Sequence, residues 1–199
     1  MKELSVVEFV NNVFKAVNNA CREIGITEGA IGVCIEPKIH SIAEWVGTPM
    51  YAATVTYMSP IDMDTENTLC FGEDGKVVSD TSGVINMKIA SARQVLRYYE
   101  KEDIEVTSRS LLTSGSIPDE LVGIGMTKWK GCVAFPIDII VNGPVVNLRA
   151  ATALNIFVAV SGGKQEQDEQ AAWAALGPIR NWLSQKPDYD LHRCFYEKD

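Results

Sequence analysis

The segment Phe157–Glu169 constrains the fold of this chain more than any other part of the sequence. It opens with the apolar run Phe157–Val160, passes through Ser161, Gly162 and Gly163, and then turns polar and acidic. A short apolar run that ends in glycines is typical of a buried strand followed by a tight turn. Because acidic residues favour the first turn of a helix, the segment predicts a strand, a glycine turn and a helix.

Helical spacing of apolar residues is clear in two further segments. Ser5 and Glu8 match a capping box in front of a long apolar stripe, which Gly25 would end. A second helix, capped by Thr81 or Ser82, is predicted from a second stripe. The residues of that stripe are Ile85, Ile89, Ala92, Leu96 and Tyr99.

Alternating or continuous apolar runs predict four strands. They cover Ile31–Ile35, Tyr51–Tyr57, Cys132–Val141 and Val145–Val160, the last with a break near Asn147 or Asn155. Pro136 within the third run indicates an edge or bulged position, because proline cannot donate a backbone hydrogen bond.

Turn residues link these segments. Asp74-Gly75 and Asn142-Gly143 are typical of hairpins, and Gly177-Pro178 predicts a kink or restart in the helix that follows the glycine turn. The glycines and the proline within residues 101–130 indicate a loop with a short helical turn. The tail from Pro187 onward is polar but carries apolar residues able to dock. The resulting fold class is α+β, an antiparallel sheet flanked by helices.

Composition bounds the class of protein. A length of 199 residues predicts one domain over 1–199, and a net charge of −8 without basic clusters argues against nucleic acid and anionic membranes as partners. The first 25 residues lack the features of a signal peptide, and no apolar run is long enough to span a membrane, so we expect a cytoplasmic protein. Five widely spaced cysteines predict reduced thiols, most of them buried.

Common catalytic motifs are absent from the sequence. No nucleophile elbow, zinc-protease motif, phosphate-binding loop or dinucleotide fingerprint is present. The candidate acid–base residues are Glu36, Asp138, Glu166 and either Tyr51 or Tyr57, which the sequence alone cannot bring together. His40 and Cys132 are weak candidates for a metal or haem ligand, with a surface histidine and a core cysteine as the ordinary alternatives.

The glycine turn is the main candidate for ligand binding. Glycines let a ligand approach the backbone closely, and acidic residues at the helix start favour self-capping, or a nearby cation or hydrogen-bond donor, over phosphate. On the second predicted helix, two cations stand among small residues and could hold ligand carboxylates; a solvated charged face is the alternative. The candidate ligand-binding residues are Ser161, Gly162, Gly163, Glu166, Asp168, Lys88 and Arg93.

The run Val158–Gly163 followed by Glu166–Glu169 resembles the closing signature of the GlcG/HbpS-like haem-binding family, which includes the C-terminal domain of the PduO cobalamin adenosyltransferase. The stretch Lys88–Arg93 resembles the central helix of that family, and the Pro136 strand resembles its proline-containing strand. The resemblance implies a profilin- or PAS-like α/β/α sandwich, a homo-oligomer, and haem or another small molecule as ligand.

This chain also departs from the family pattern. It is longer, with apparent insertions near 38–66, near 101–130 and between Val146 and Ile156, and Glu36-Pro37-Lys38 stands where the family has Asp-x-Gly-Gly. No histidine of this chain matches a family haem ligand. Three functions therefore stay open: a binding protein accessory to a catabolic pathway, an enzyme that uses the same pocket for a small metabolite, and a non-catalytic oligomeric partner of another enzyme.

Overall fold

Five strands form one antiparallel sheet in the part of the chain that the structure describes. The computed structural model describes residues 5–38, 54–61, 81–122, 126, 128–139 and 152–196. The strand order is β2-β1-β4-β3-β5, and every neighbouring pair is antiparallel. The strands are β1 (Ala30–Pro37), β2 (Val55–Pro60), β3 (Cys132–Ile139), β4 (Thr152–Ser161) and β5 (Tyr189–Leu191).

Helices precede, separate and follow the strands. In chain order they are α1 (Val6–Glu23), α2 (Thr81–Lys101), α3 (Asp119–Val122), α4 (Gln165–Ala172) and α5 (Leu176–Leu183). Short 3₁₀ turns lie at Arg109–Leu112, Ser114–Ser116, Trp173–Ala175 and Arg193–Phe195. Among the described residues, no helix combines the length and the apolar character needed to cross a bilayer.

Helix α2 covers one face of the sheet. A Cβ atom on Gly32 would lie 2.3 Å from Ile85 Cγ2, so β1 and α2 are in direct contact at this glycine. The register places Ala159 of β4 and Cys132 of β3 opposite Gly32, on the same face. A glycine at this position lets the helix approach the sheet closely.

The opposite face of the sheet is covered by the N- and C-terminal elements. Phe135 of β3 stacks on Phe195 with ring centroids 5.5 Å apart and meets the edge of Trp173 at 5.7 Å. Phe9 of α1 stacks on Trp182 of α5 at 4.2 Å. The described residues therefore form an α+β sandwich with the sheet between two helical layers, as the sequence predicts.

The helix predictions are confirmed. The Ser5 hydroxyl accepts from the Glu8 amide at 3.2 Å, the Glu8 carboxylate accepts from the Ser5 amide at 2.8 Å, and Gly25 follows the helix with φ of +79°. The predicted apolar stripe of α2 is buried. After α4, a 3₁₀ turn leads into α5 at Leu176, which is the restart predicted for Gly177-Pro178.

The strand predictions are confirmed with shifted ends. Strand β2 is Val55–Pro60 rather than Tyr51–Tyr57, of which the structure describes only the second half. The register of β3 against β4 shifts between Ile137 and Asp138, one residue after Pro136, in agreement with a bulge. The C-terminal tail docks as predicted, but its strand β5 was not expected, because three residues are too few for a periodic signal.

Several predictions lie outside the described residues. These are the Asp74-Gly75 and Asn142-Gly143 turns, the Val145–Val160 strand before residue 152, and His40. The side chains of Thr81 and Ser82 also lie outside them, so the predicted cap of α2 stays a prediction. The four cysteines that the structure describes are buried and form no disulfide: Cys21, Cys34, Cys132 and Cys194.

Candidate functional site

The glycine turn after β4 packs against its own chain. A Cβ atom on Gly162 would lie 2.0 Å from the Glu28 carbonyl oxygen, and one on Gly163 would lie 2.8 Å from Ile26 Cδ1. On the other side of the contact, a Cβ on Gly29 would lie 1.8 Å from the Ser161 carbonyl oxygen. The close approach inferred from these glycines is therefore present, and the group that approaches is the loop after α1.

A buried ion pair joins α2 to the start of α4 beside this turn. Lys88 Nζ lies 2.6 Å from Asp168 Oδ2 and donates to the Val160 carbonyl oxygen, also at 2.6 Å. The Asp168 Oδ1 atom accepts from the Gly163 amide at 2.8 Å. The side chains are only 5% and 2% exposed, so each charge depends on the other for compensation.

A third glycine makes room for this pair. Gly131, directly before β3, has φ of +102°, and a Cβ there would lie 2.8 Å from Lys88 Nζ and 2.9 Å from Asp168 Cβ. We call the assembly of Lys88, Gly131, Ser161–Gly163 and Asp168 the glycine corner. The acidic start of α4 is thus capped from within and paired with a cation, as the sequence suggested.

The glycine corner offers its polar groups to the protein itself. Lys88 holds a carboxylate, as predicted for this cation, but the carboxylate belongs to Asp168, and the alternative of a solvated face is wrong for Lys88. Glu166 lies on the exposed side of α4 and pairs with Lys130. Ligand binding at these residues stays a prediction that none of these contacts supports.

A cavity lies at the opposite end of the sheet, beneath the C-terminal half of α2. It has a volume of about 380 Å³, within the range of about 300–1,000 Å³ typical of ligand pockets. We call it the α2 cavity. Its walls come from α2, the segment after it, β3, β4 and the chain after β5, and include Leu96, Tyr99, Val106, Asp138, Asn155 and His192.

Asn155 is the buried polar residue in the wall of this cavity. It pairs with Pro136 of β3 and Glu36 of β1, and it is 2% exposed. Its carboxamide carries donor and acceptor atoms, and a pocket that recognises a small molecule needs a few such polar groups in its wall.

His192 contributes a second polar group to the α2 cavity. Its Nδ1 accepts from the Cys194 amide at 3.4 Å and lies 3.2 Å from Cys194 Sγ. This assigns the proton of the neutral ring to Nε2, the nitrogen not held by the local turn. The imidazole is thereby fixed in orientation at the cavity wall.

A shallower arginine cleft lies on the β1 side of the same region. It is lined by Glu36, Pro37, Thr54, Arg93 and Arg97. Arg93 Nε donates to the Glu36 carboxylate, and its guanidinium lies 5.6 Å from the centre of the Phe157 ring. Burial opposes the charge on Arg93, yet its contact with Glu36 leaves the pKa of the guanidinium above its ordinary value.

The three carboxylates among the acid–base candidates lie in three different places. Asp138 lines the α2 cavity, Glu36 lines the arginine cleft and Glu166 is exposed on α4. Asp138 shares its cavity with His192, and neither Glu36 nor Glu166 lines that cavity. The structure therefore does not assemble the candidates into one catalytic centre.

The ligand candidate Cys132 is buried on the α2 side of the sheet. Burial raises the pKa of its thiol well above the ordinary value, so it lacks the thiolate character that ligation requires. No group of three or more histidine, cysteine, aspartate or glutamate side chains among the described residues could hold a metal ion. His40 lies outside those residues.

Two glutamates of α4, Glu166 and Glu169, are expected to affect the stability of the fold with opposite dependence on pH. Burial raises the pKa of Glu169, so the folded state loses stability as the pH rises from the ordinary value of 4.5 through the raised pKa. We expect Glu169→Gln to increase the free energy of unfolding more at neutral pH than below pH 4.5, as measured by urea denaturation. A gain of equal size at both pH values would contradict this origin.

Glu166 serves as the matched control, because its pKa is shifted in the opposite direction to that of Glu169. A backbone hydrogen bond and Lys130 lower its pKa, so its contribution is present at neutral pH and is lost as the pH falls through the lowered pKa. We therefore expect Glu166→Gln to decrease stability at neutral pH and to have less effect in acid.

Most residues that line the α2 cavity were not predicted from the sequence. Asn155 was noted only as a place where β4 might break, although a lone polar residue inside a fully buried strand is a signal of a special environment. His192 carried no motif at all. Its place in the wall depends on β5, whose strand pairing with Ile137–Ile139 fixes the chain that follows it.

Comparison with known proteins gave no relative of this chain. No family model, no curated protein and no solved structure matched it.

Proposed function

We propose that this chain is a small-molecule-binding protein whose ligand occupies the α2 cavity. The observation that carries this proposal is a partly open cavity of about 380 Å³ with a buried amide, that of Asn155, in its wall. Pockets that recognise small molecules combine apolar walls with a few placed polar groups. Leu96, Val106 and Pro136 supply the apolar part here.

We propose that the ligand of the α2 cavity is not haem, although the family resemblance implies haem. The Cys132 thiol is buried away from the α2 cavity and stays protonated. Carboxylates such as those of Asp103 and Asp138 in the wall disfavour a ligand that brings further carboxylates close to them, as the propionates of a haem would. We expect no saturable change in the haem absorption band when haemin is titrated into the protein, and a saturable change would overturn this part of the proposal.

The resemblance to the GlcG/HbpS-like family also supports a proposal about assembly, location and cellular role. In line with it, we propose a homo-oligomeric, cytoplasmic protein accessory to a catabolic pathway. Light scattering of the purified protein tests the oligomer, and a monomer at all concentrations would contradict it.

An enzyme that uses the same cavity is the second candidate. Asp138 and His192 line one wall region, and a carboxylate and an imidazole are the usual groups for proton transfer. Mass spectrometry of molecules incubated with the protein would reveal conversion. Conversion that persists unchanged in both Asp138→Asn and His192→Gln would exclude these two residues as its acid–base groups.

Blocking the mouth of the cavity tests the binding proposal. Ile104 lines the cavity and is 39% exposed, so Ile104→Trp adds bulk at the mouth without disturbing the core. We expect fragments that bind the wild type, detected by protein NMR, to bind this variant at least about tenfold more weakly, a loss of ~1.4 kcal/mol.

The matched control is Val122→Trp. Val122 is also 39% exposed but does not line the cavity, so this variant should bind like the wild type. Equal binding by wild type and Ile104→Trp would place the ligand elsewhere and refute the proposal.

A further inference from the structure

We propose that the arginine cleft binds a small organic monocarboxylate, with Arg93 and Arg97 as the groups that hold its carboxylate. This site is separate from the α2 cavity, so the inference goes beyond the proposed function and does not depend on it. The sequence predicted Arg93 as a ligand-binding residue but gave no role to Arg97. Three features carry the inference: the position of the two arginines on α2, the contacts that fix Arg93, and the charge of the lining.

The two arginines stand about one turn apart on the same side of α2. Residues four positions apart in a helix are neighbours on its surface, with a rise of about 6 Å between them. Both arginines line the cleft, together with Glu36 and Pro37 of β1 and with Thr54, which directly precedes β2. One small ligand in the cleft therefore lies within reach of two guanidinium groups, whose paired N–H donors match the two oxygens of a carboxylate.

Contacts within the protein fix Arg93 before a ligand binds. Its Nε donates to the Glu36 carboxylate, its Nη2 lies 3.7 Å from Cys34 Sγ, and its guanidinium lies 5.6 Å from the centre of the Phe157 ring. The contact with Glu36 uses one of the five N–H donors of a guanidinium. Because a side chain that is already ordered loses little conformational entropy on binding, this arrangement favours a ligand at Arg93.

The charge of the lining favours a monoanion. Two guanidinium groups face one carboxylate, that of Glu36, which gives the lining an excess of one positive charge although the whole chain has a net charge of −8. A phosphate dianion would bring a second negative charge toward Glu36, and a carboxylate would not. Pro37 has no backbone N–H, so the anion depends on side-chain donors, and the exposed Arg97 offers them from the solvent side.

Benzoate, benzamide and phenyl phosphate are suitable probes, because they share an aromatic ring and differ in the charge and shape of the attached group. The titrations use the Ile104→Trp variant, which is designed to block the α2 cavity, and are followed by protein NMR. We expect benzoate to bind most tightly, with the largest shift changes at the amides of Arg93 and Arg97. Benzoate binding should weaken as salt is added, because Arg97 is exposed.

Removal of a single charge from α2 locates the site. Arg97→Gln removes an exposed guanidinium and should weaken benzoate binding by about fivefold or more, while the binding of neutral benzamide stays the same. Lys101→Gln is the matched control. Lys101 is exposed, lies about one turn further along α2 and does not line the cleft, so this variant removes the same charge from the same helix outside the site.

Several results would overturn this inference. Equal binding of benzoate and benzamide, or no saturable binding of benzoate, would exclude an anion site in the cleft. Equal losses in Arg97→Gln and Lys101→Gln would mean that benzoate responds only to the general charge of α2. Tighter binding of phenyl phosphate than of benzoate would refute the carboxylate. Each of these results leaves the proposed function standing, because the α2 cavity is tested separately by comparing the wild type with Ile104→Trp.

Discussion

Asp168→Ala is expected to lower the free energy of unfolding by about 3–5 kcal/mol, because it leaves the Lys88 ammonium buried without its partner. The Lys88 side chain is 5% exposed, and its remaining contact is the Val160 carbonyl oxygen at 2.6 Å. The variant also removes the acceptor of the Gly163 amide. Urea denaturation followed by circular dichroism measures the loss.

Two further variants show whether the loss comes from burial. Lys130→Ala breaks the exposed pair with Glu166 and should lower stability far less than Asp168→Ala does. Lys88→Met/Asp168→Leu replaces both charges by apolar groups and should recover much of the stability lost in Asp168→Ala. If Asp168→Ala kept wild-type stability but lost small-molecule binding, Asp168 would be a ligand group and our description of the glycine corner would be wrong.

Gly29→Ala is expected to destabilise the protein by about 3 kcal/mol or more, since it combines backbone strain with a steric clash. Gly29 has φ of +129°, and its Cβ would lie 1.8 Å from the Ser161 carbonyl oxygen. Neither partner of this contact is a flexible side-chain end, so the loop after α1 and the end of β4 would have to move apart. The thermal midpoint and urea midpoint should both fall.

Gly25→Ala separates strain from contact. Gly25 also has a positive φ, +79°, but a Cβ there would meet nothing within 4 Å. This variant should cost only about 1–2 kcal/mol, the ordinary cost of a left-handed residue. Equal losses in the two variants would mean that the contact between Gly29 and Ser161 contributes nothing beyond strain.

Local patterns predicted most of the elements that the structure describes. The Ser5–Glu8 capping box, the apolar stripe of α2 and the turn at Gly162 are each encoded within a few neighbouring residues. Strand ends were less accurate, as at β2, because backbone pairing with β1 decides where a strand stops. β5 was missed because its three residues are held by β3 and carry no pattern of their own.

The role of the glycine corner could be predicted only in part. The sequence indicated that Gly162 and Gly163 allow a close approach, and that a cation would suit the acidic start of α4. It could not indicate that the approaching groups are Ile26, Glu28 and Lys88, since these contacts join positions far apart in the chain. The same residue types would suit a ligand, so the local signal cannot separate the two roles.

The α2 cavity was beyond prediction for a related reason. Its wall joins Leu96, Val106, Asn155 and His192, which come from four separate stretches of sequence. None of the four belongs to a recognised motif. These side chains can be assigned to one wall only once the strand order is known. In that order β4 lies between β1 and β3, and β5 lies beyond β3.

Crystals of this chain soaked with aromatic fragments test the central claim most directly, because both ends of the sheet can then be compared in one map. Our account predicts fragment density in the α2 cavity, within contact of Asn155 and Leu96, and an intact Lys88–Asp168 pair at the glycine corner. Fragment density against Gly162 and Gly163, with Lys88 turned toward the fragment and the α2 cavity empty, would contradict it.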